Sequence, residues 1–498
     1  MATAAAVAVA LLPATAGCGT VSLPAKDAAR WAAPPAPPRP PELDRHQIAG
    51  SLSYLQRAYG VPEQEALRRL QLQAIGPALA AKLTSRAAAS YAGMWMDQQN
   101  GRLVVAARDP VAVRPVLAMS SNADHIDVKQ VAHSLVELTV ARQDLAGTFG
   151  DGEDSPLLPR IVESDNQVVV WRRDVPGWTG RPLAAQTVTE LQQVADASAG
   201  MIVVRPIPKP NQQNALESNG PCEPLACPSG PMRGGIRIDA KRDDGSWGGC
   251  TSGFNVRATG GTLNGAGFVL TAGHCVLSSR HTHRDTLYHQ HTALLTEQPD
   301  LATNRFPYDY ALLGYVNQAA QQRWLDSAQQ HNLVLGWCRD GGPDSAPANA
   351  PAGQCARGDG TDDGIQVAGV DAAEQVHPGW VVCGAGSGSV ATGNGVVDSG
   401  AGRGYQPGTR CGQVTGVTAG AIDTDLCSRP GDSGGPLFSE VSKTAVGILE
   451  GNTQSRSGPC RPGETTNYIP VAAVLDAVNA RARAVSGSTF TVIASPTG

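Results

Sequence analysis

Three short segments in the C-terminal half carry residue types that can do chemistry together: FVLTAGHC with His274, PYDYALL with Asp309 and CSRPGDSGGPL with Ser433. A serine hydroxyl at its free pKa is a feeble nucleophile, so attack on a carbonyl carbon needs a neighbouring imidazole to take its proton. The imidazole needs a carboxylate on its other nitrogen, which fixes the tautomer and stabilises the imidazolium. In RPGDSGG, Gly431 and the turn around Ser433 let main-chain N–H groups converge on the oxygen that turns negative in a tetrahedral intermediate. Asp309 lies between Tyr308 and Tyr310 and directly before ALL, which suits a buried orienting carboxylate better than the surroundings of Asp300 do. Metal-ligand spacing, phosphate loops and cofactor fingerprints are missing from the sequence, so neither a metal nor a cofactor is expected.

The elements that must position these residues are β-rich. Only 17% of the 498 residues are charged and 5% aromatic, with 57 Gly and 36 Pro, which reads as a folded, loop-rich chain. Beyond Gly234, short Val/Ile/Leu runs alternate with Gly, Ser, Thr and Asn, the pattern of a β-barrel or sandwich. Asn317 to Gln330 reads as a helix, and TTNYIPVAAVLDAVNARA as a strand followed by a terminal helix. A net charge of −5 offers no field for phosphates, so nucleic acid is excluded as the main partner.

The N-terminal half reads as a separate α+β unit without cysteine. Two helices are expected over HQIAGSLSYLQRAYG and from Pro62 onward, then a hairpin turning at Asn100-Gly101. A helix over DVKQVAHSLVELTVARQDLAG, a hairpin turning at Asp165-Asn166, a helix near TVTELQQVADA and the strand MIVVRPI complete it. Ahead of it, residues 2–12 are an apolar run ending at Pro13 and followed by ATAGC, which resembles a signal peptide cut before Cys18. Cys18 then either carries a lipid thioether, anchoring the protein to a membrane, or is incidental. Residues 19–43 are a proline-rich spacer. Of 11 cysteines, ten follow residue 220 without metal spacing, so they read as disulfides formed outside the cytosol in a secreted protein.

At the TAGHC, GDSGGP and CTSGFNVR blocks the sequence resembles the chymotrypsin-fold serine endopeptidases of the streptogrisin and alpha-lytic protease branch. The resemblance spans residues 234 to about 485. It implies a mainly β fold of two six-stranded antiparallel barrels preceded by a smaller α+β pro-domain. The layout expected is a signal segment over 1–18, spacer 19–43, pro-domain 44–208, linker 209–232, first barrel 233–316, insertion 317–363, second barrel with the C-terminal helix 364–486, and tail 487–498. The implied activity is peptide-bond hydrolysis by His274, Asp309 and Ser433, with Gly431 and Ser433 forming the oxyanion hole. Partners are then protein or peptide substrates and the chain's own pro-domain, released by cleavage near Met232. The resemblance also suggests disulfides Cys250–Cys275 and Cys427–Cys460. Elimination and proximity add Cys338–Cys355, Cys383–Cys411 and Cys222–Cys227.

Three features depart from the relatives or bear on specificity. Gly384 stands where relatives carry a basic partner for the aspartate before the nucleophile, so Asp432 needs Arg429, Arg403 or Arg410 instead. Glu450, in the GILEGN segment that would pair with substrate through Glu450, Gly451 and Asn452, replaces a small residue. It is expected to raise the His274 pKa or select cationic substrates. Asp425, two residues before Cys427, resembles the acid at the base of trypsin-like pockets, against a plain loop acid beside Asp423. Gly384 and Glu450 motivate the alternative of a catalytically weak homologue that binds peptide at the cell surface. An esterase using the same acyl-transfer machinery is a third reading.

Overall fold

The computed structural model describes residues 39–173, 183–208, 211–212, 216–218, 232–241, 243, 245–277, 286–289, 292–326, 332–335, 365–372, 375–388, 408–452 and 463–495. The N-terminal unit comprises α1 (Ala49–Tyr59), α2 (Glu63–Arg86), β1 (Tyr91–Asp97), β2 (Arg102–Ala107), α3 (Pro110–Leu117), β3 (Ile126–Gln130), α4 (Leu135–Phe149), β4 (Leu157–Val162), β5 (Gln167–Arg172), α5 (Ala185–Ala197) and β6 (Ile202–Pro206). It holds two three-stranded sheets, β1-β2-β3 and β4-β5-β6. In each, an antiparallel hairpin gains a parallel third strand. Both expected hairpin turns form, with Gly101 and Asn166 at positive φ.

The stretch read as one helix from Asp127 divides in two. Its first residues join β3, which pairs with the edge of β2. The helix starts only at Leu135, where the Ser134 hydroxyl accepts from the Glu137 N–H and the Glu137 carboxylate accepts from the Ser134 N–H. Helix α3 was not anticipated. Its signal is Asp109, whose carboxylate accepts from the Val111 N–H just ahead of Pro110 in the first helical turn.

A linker contributes two short strands, β7 (Asn211–Gln212) and β8 (Leu216–Ser218). The β-rich half begins with β9 (Arg233–Gly234), β10 (Arg237–Lys241), β11 (Trp247–Thr251), β12 (Asn255–Thr259), β13 (Gly267–Thr271), β14 (Leu287–His289), β15 (Thr292–Arg305) and β16 (Tyr308–Tyr315). It continues through α6 (Gln318–Trp324), β17 (Leu333–Val334), β18 (Ile365–Gln366), β19 (Gly369–Val370), β20 (Val381–Gly386), β21 (Gly408–Thr418) and β22 (Ala421–Thr424). The last elements are β23 (Pro436–Ser439), β24 (Thr444–Asn452), β25 (Thr466–Pro470), α7 (Val471–Val485) and β26 (Thr489–Val492).

Strands β24-β23-β20-β21-β22-β25 pair in sequence, and β25 pairs back onto β24, so they close a six-stranded barrel. The first sheet, β26-β12-β13-β16-β15-β14-β10-β11-β8, has nine strands and stays open among the described residues, with β26 and β8 at its edges. The fold is thus mainly β, with one barrel closed by its ladders.

The N-terminal unit is welded to the closed barrel. Leu52, Leu55 and Leu70 share one apolar core with Val381 and Ile448, and Met94 and Leu103 share another with Trp380 and Val382. Polar contacts fix the register. Gln73 bonds both the N–H and the carbonyl of Val381, at 2.8 and 3.0 Å, and Ser51 donates its N–H and hydroxyl to Glu440 at 2.8 and 2.7 Å. Gly76 of α2 is where the Trp380 indole approaches, since an added Cβ would lie 2.8 Å from Trp380 Cζ2. Gly76→Leu should therefore overpack this seam, costing about 1–3 kcal/mol and visibly lowering the thermal midpoint of the precursor; an unchanged midpoint would show that the seam carries no weight.

Candidate active site

Strand β13 feeds a tight turn, Gly273–Cys275, that carries His274, and a disulfide from Cys275 to Cys250 ties this turn to β11. Asp309 lies on β16 and is fully buried. Its Oδ2 is 2.5 Å from His274 Nδ1, and its Oδ1 accepts the His274 main-chain N–H at 2.7 Å. With the Nδ1 proton held by a carboxylate, Nε2 of the neutral ring is the acceptor. That nitrogen is buried and has no hydrogen-bond partner among the described residues. Asp300 sits exposed on β15.

Ser433 is buried in the turn before β23. Its carbonyl accepts the Thr251 N–H at 2.8 Å and lies 3.8 Å from Cys275 Sγ, so the serine turn abuts the residue next to His274. Gly431 and Gly434 hold φ of +101° and +82°, values that L side chains rarely adopt. The intervening Asp432 is fully buried and accepts from the Gly388 N–H, the Arg429 N–H and the Arg410 guanidinium, at 2.9, 2.9 and 3.0 Å. Arg410 is the register partner of Gly384 across the β20–β21 ladder. Gly384 has no room for a side chain, since an added Cβ would sit 2.6 Å from the Tyr468 hydroxyl, so the cation comes from the facing strand. The Arg429 guanidinium turns to Glu464, and Arg403 lies outside the described residues.

Glu450 differs from expectation. It is fully buried on β24, and neither carboxyl oxygen has a hydrogen-bond partner among the described residues. Burial, then the nearby carboxylates of Asp309 and Asp423, push its pKa well above the ordinary value. Near the His274–Asp309 pair, this favours its protonated form, which speaks against its selecting a cationic substrate. Asp425 is engaged elsewhere: it accepts the Tyr54 hydroxyl of α1 and the Gln413 N–H, both at 2.7 Å. Gly451 and Asn452 pair with Gln212 and Asn211 of β7.

A second disulfide joins Cys383 and Cys411, register partners in the β20–β21 ladder, and Cys427 is also disulfide-bonded. Cys18, Cys222, Cys227, Cys338, Cys355 and Cys460 lie outside the described residues. Sequence reasoning missed the tie between Tyr54 and Asp425 and the grip of Thr251 on the serine turn, neither of which leaves a mark in local pattern.

With this geometry in hand, known proteins place the chain. Over 220 residues it is 31% identical to serine protease 2 of Streptomyces fradiae, matching 44% of this chain and 92% of that protein. The chain belongs to the streptogrisin-like serine proteases. Over 233 residues this streptogrisin-like chain is 28% identical to streptogrisin-A of Streptomyces griseus, matching 46% of the chain and 56% of that relative's length. The family model alpha-lytic protease pro N-terminal matches residues 64–119, which include α2, the β1–β2 hairpin and α3. Among solved structures, the Nocardiopsis protease aligns at 18% identity with a TM-score of 0.31, covering 52% of this chain and 99% of that one. Protease A of Thermobifida fusca aligns at 18% with a TM-score of 0.29, covering 53% and 100%.

The state of Glu450 has a pH signature. Its folded pKa is raised, so the stability that it contributes is present below the unfolded value of 4.5 and is lost as pH rises towards the folded value. Glu450→Gln, which cannot ionise, should therefore melt at a higher temperature than the parent above pH 6, with the gap closing near pH 4. Both proteins should carry Ser433→Ala to prevent self-digestion during the scan. A gap independent of pH would contradict a neutral Glu450.

Proposed function

We propose that the protein is a serine endopeptidase, exported and made as a precursor, in which His274, Asp309 and Ser433 cut peptide bonds through an acyl-enzyme. The observation that carries this reading is the buried His274–Asp309 pair, whose Nε2 is without a partner among the described residues beside the turn bearing Ser433. In the first half-reaction Ser433 Oγ attacks the carbonyl carbon while His274 Nε2 takes its proton. Asp309 stabilises the imidazolium, and the N–H groups of Gly431 and Ser433 receive the oxyanion. His274 then protonates the leaving amine, and water repeats the sequence to free the acid. Export is supported by the disulfides and by the apolar opening run of the sequence. No helix among the described residues is long and apolar enough to cross a membrane. In the precursor Asp425 is bonded to Tyr54 of the N-terminal unit, so it is free to meet a basic side chain only once that unit has left.

A substrate lying along β24 on one side of its scissile bond and β11 on the other would find both edges taken by the linker. Gln212 pairs with Gly451 on β24, and Leu216 pairs with Gly249 on β11. The linker is then the enzyme's first substrate, cut between these two strands. A cut near Met232 fits poorly, since Met232 is fully buried, donates its N–H to the Trp324 carbonyl and accepts from the Asn255 amide. N-terminal sequencing of the processed enzyme should give a start after Gln212 and no later than Leu216; a start beyond Ser218 would overturn this. A fluorophosphonate probe should label the processed protein but not Ser433→Ala. Failure to label the parent would favour a peptide-binding module instead.

A further inference from the structure

One side chain grips the serine turn from the opposite sheet. Thr251, fully buried at the end of β11, donates its main-chain N–H to the Ser433 carbonyl at 2.8 Å, and its hydroxyl donates to the Gly431 carbonyl at 2.7 Å. The same hydroxyl oxygen accepts the Ser387 N–H at 2.9 Å and lies 2.7 Å from Ser387 Oγ. With the Thr251 proton on the Gly431 carbonyl, the single Ser387 hydroxyl proton serves the Thr251 oxygen at 2.7 Å, with the Cys250 carbonyl 3.1 Å from the same Oγ, and Arg237, buried and paired with Asp239 at 2.8 Å, donates to the Ser387 carbonyl at 3.4 Å. The Thr251 carbonyl is held by the Thr271 hydroxyl at 2.8 Å. Donors and acceptors close on one another, so the oxygen that touches Gly431 has a single place to be.

We propose that Thr251 is a positioning residue that fixes the oxyanion loop by pinning the Gly431 carbonyl while its own N–H pins that of Ser433. The two residues whose N–H groups would receive the oxyanion are the two whose carbonyls Thr251 holds. The need arises at Gly431, where φ of +101° and no Cβ leave the torsions free, so its N–H keeps its aim only while the following peptide, whose carbonyl Thr251 holds, stays fixed. Turning either N–H away removes a donor that has to be in place before charge develops. The inference rests on Ser433 being the nucleophile, and it adds a control on reactivity that originates in the other sheet.

The test compares Thr251→Val, which keeps shape and removes the hydroxyl, with Thr251→Ser, which restores it. Each is assayed per active site, counted by burst titration. Thr251→Val should lower kcat about tenfold or more, less than the loss of a direct oxyanion donor, with KM within about twofold. It should weaken a peptide boronate inhibitor in proportion to kcat/KM, and Thr251→Ser should recover to within about threefold of the parent. If Thr251→Val does not fold, Ser387→Ala provides the second reading, with a smaller fall in kcat of about threefold at unchanged KM. A kcat per active site within twofold of the parent for the variant that folds, or equal losses in Thr251→Val and Thr251→Ser, would overturn the proposal. A parent enzyme that gives no burst would instead sink the nucleophile assignment.

Discussion

The carboxylate of Asp309 is out of contact with water, and it has to be compensated where it stands. Both of its oxygens are taken by His274, one through the ring and one through the main chain. A buried, uncompensated carboxylate would cost several kcal/mol, so the pair holds only if β16, the turn after β13 and the Cys250–Cys275 bridge keep their relative places. His274 Nε2, without a partner among the described residues, is then aimed by the same geometry that satisfies the acid.

Other buried acids around the site meet the same cost in different ways. Asp432 gathers two main-chain N–H groups and the Arg410 guanidinium. Glu464 takes a forked pairing with Arg429. Glu450 has no such partner among the described residues, and burial with its neighbouring carboxylates pushes its pKa up. One acid is thus clamped by donors while another nearby is pushed towards its protonated form, and environment alone separates them.

The seam between the N-terminal unit and the closed barrel joins apolar packing to paired polar contacts. Barrel strands pair over long sequence distances, which makes them slow to assemble. Helices α1 and α2 offer the barrel an apolar face, and Gln73 supplies a preset donor and acceptor for Val381. The linker that follows crosses from one sheet to the other, adding β7 to β24 and β8 to β11. Packing on the closed barrel and occupation of the β24 and β11 edges are therefore made by one stretch of the chain.

Much of this was written in local sequence. The TAGHC and GDSGGP blocks mark the chemistry, the Asn100-Gly101 turn marks its hairpin, and the run after Gly234 marks a β-rich half, because each depends on neighbours along the chain. The capping box at Ser134 was legible too, although helical periodicity extended the helix across it into residues that became β3. What the tertiary structure alone decided are matters of partnership: Arg410 rather than the Arg429 guanidinium beside Asp432, Asp425 bonded to Tyr54, and, among the described residues, Glu450 without a counter-charge and a first sheet left open. Charge compensation and hydrogen bonding act through space, at distances of a few ångströms between residues hundreds of positions apart, and no local pattern records which side chains will share a buried volume.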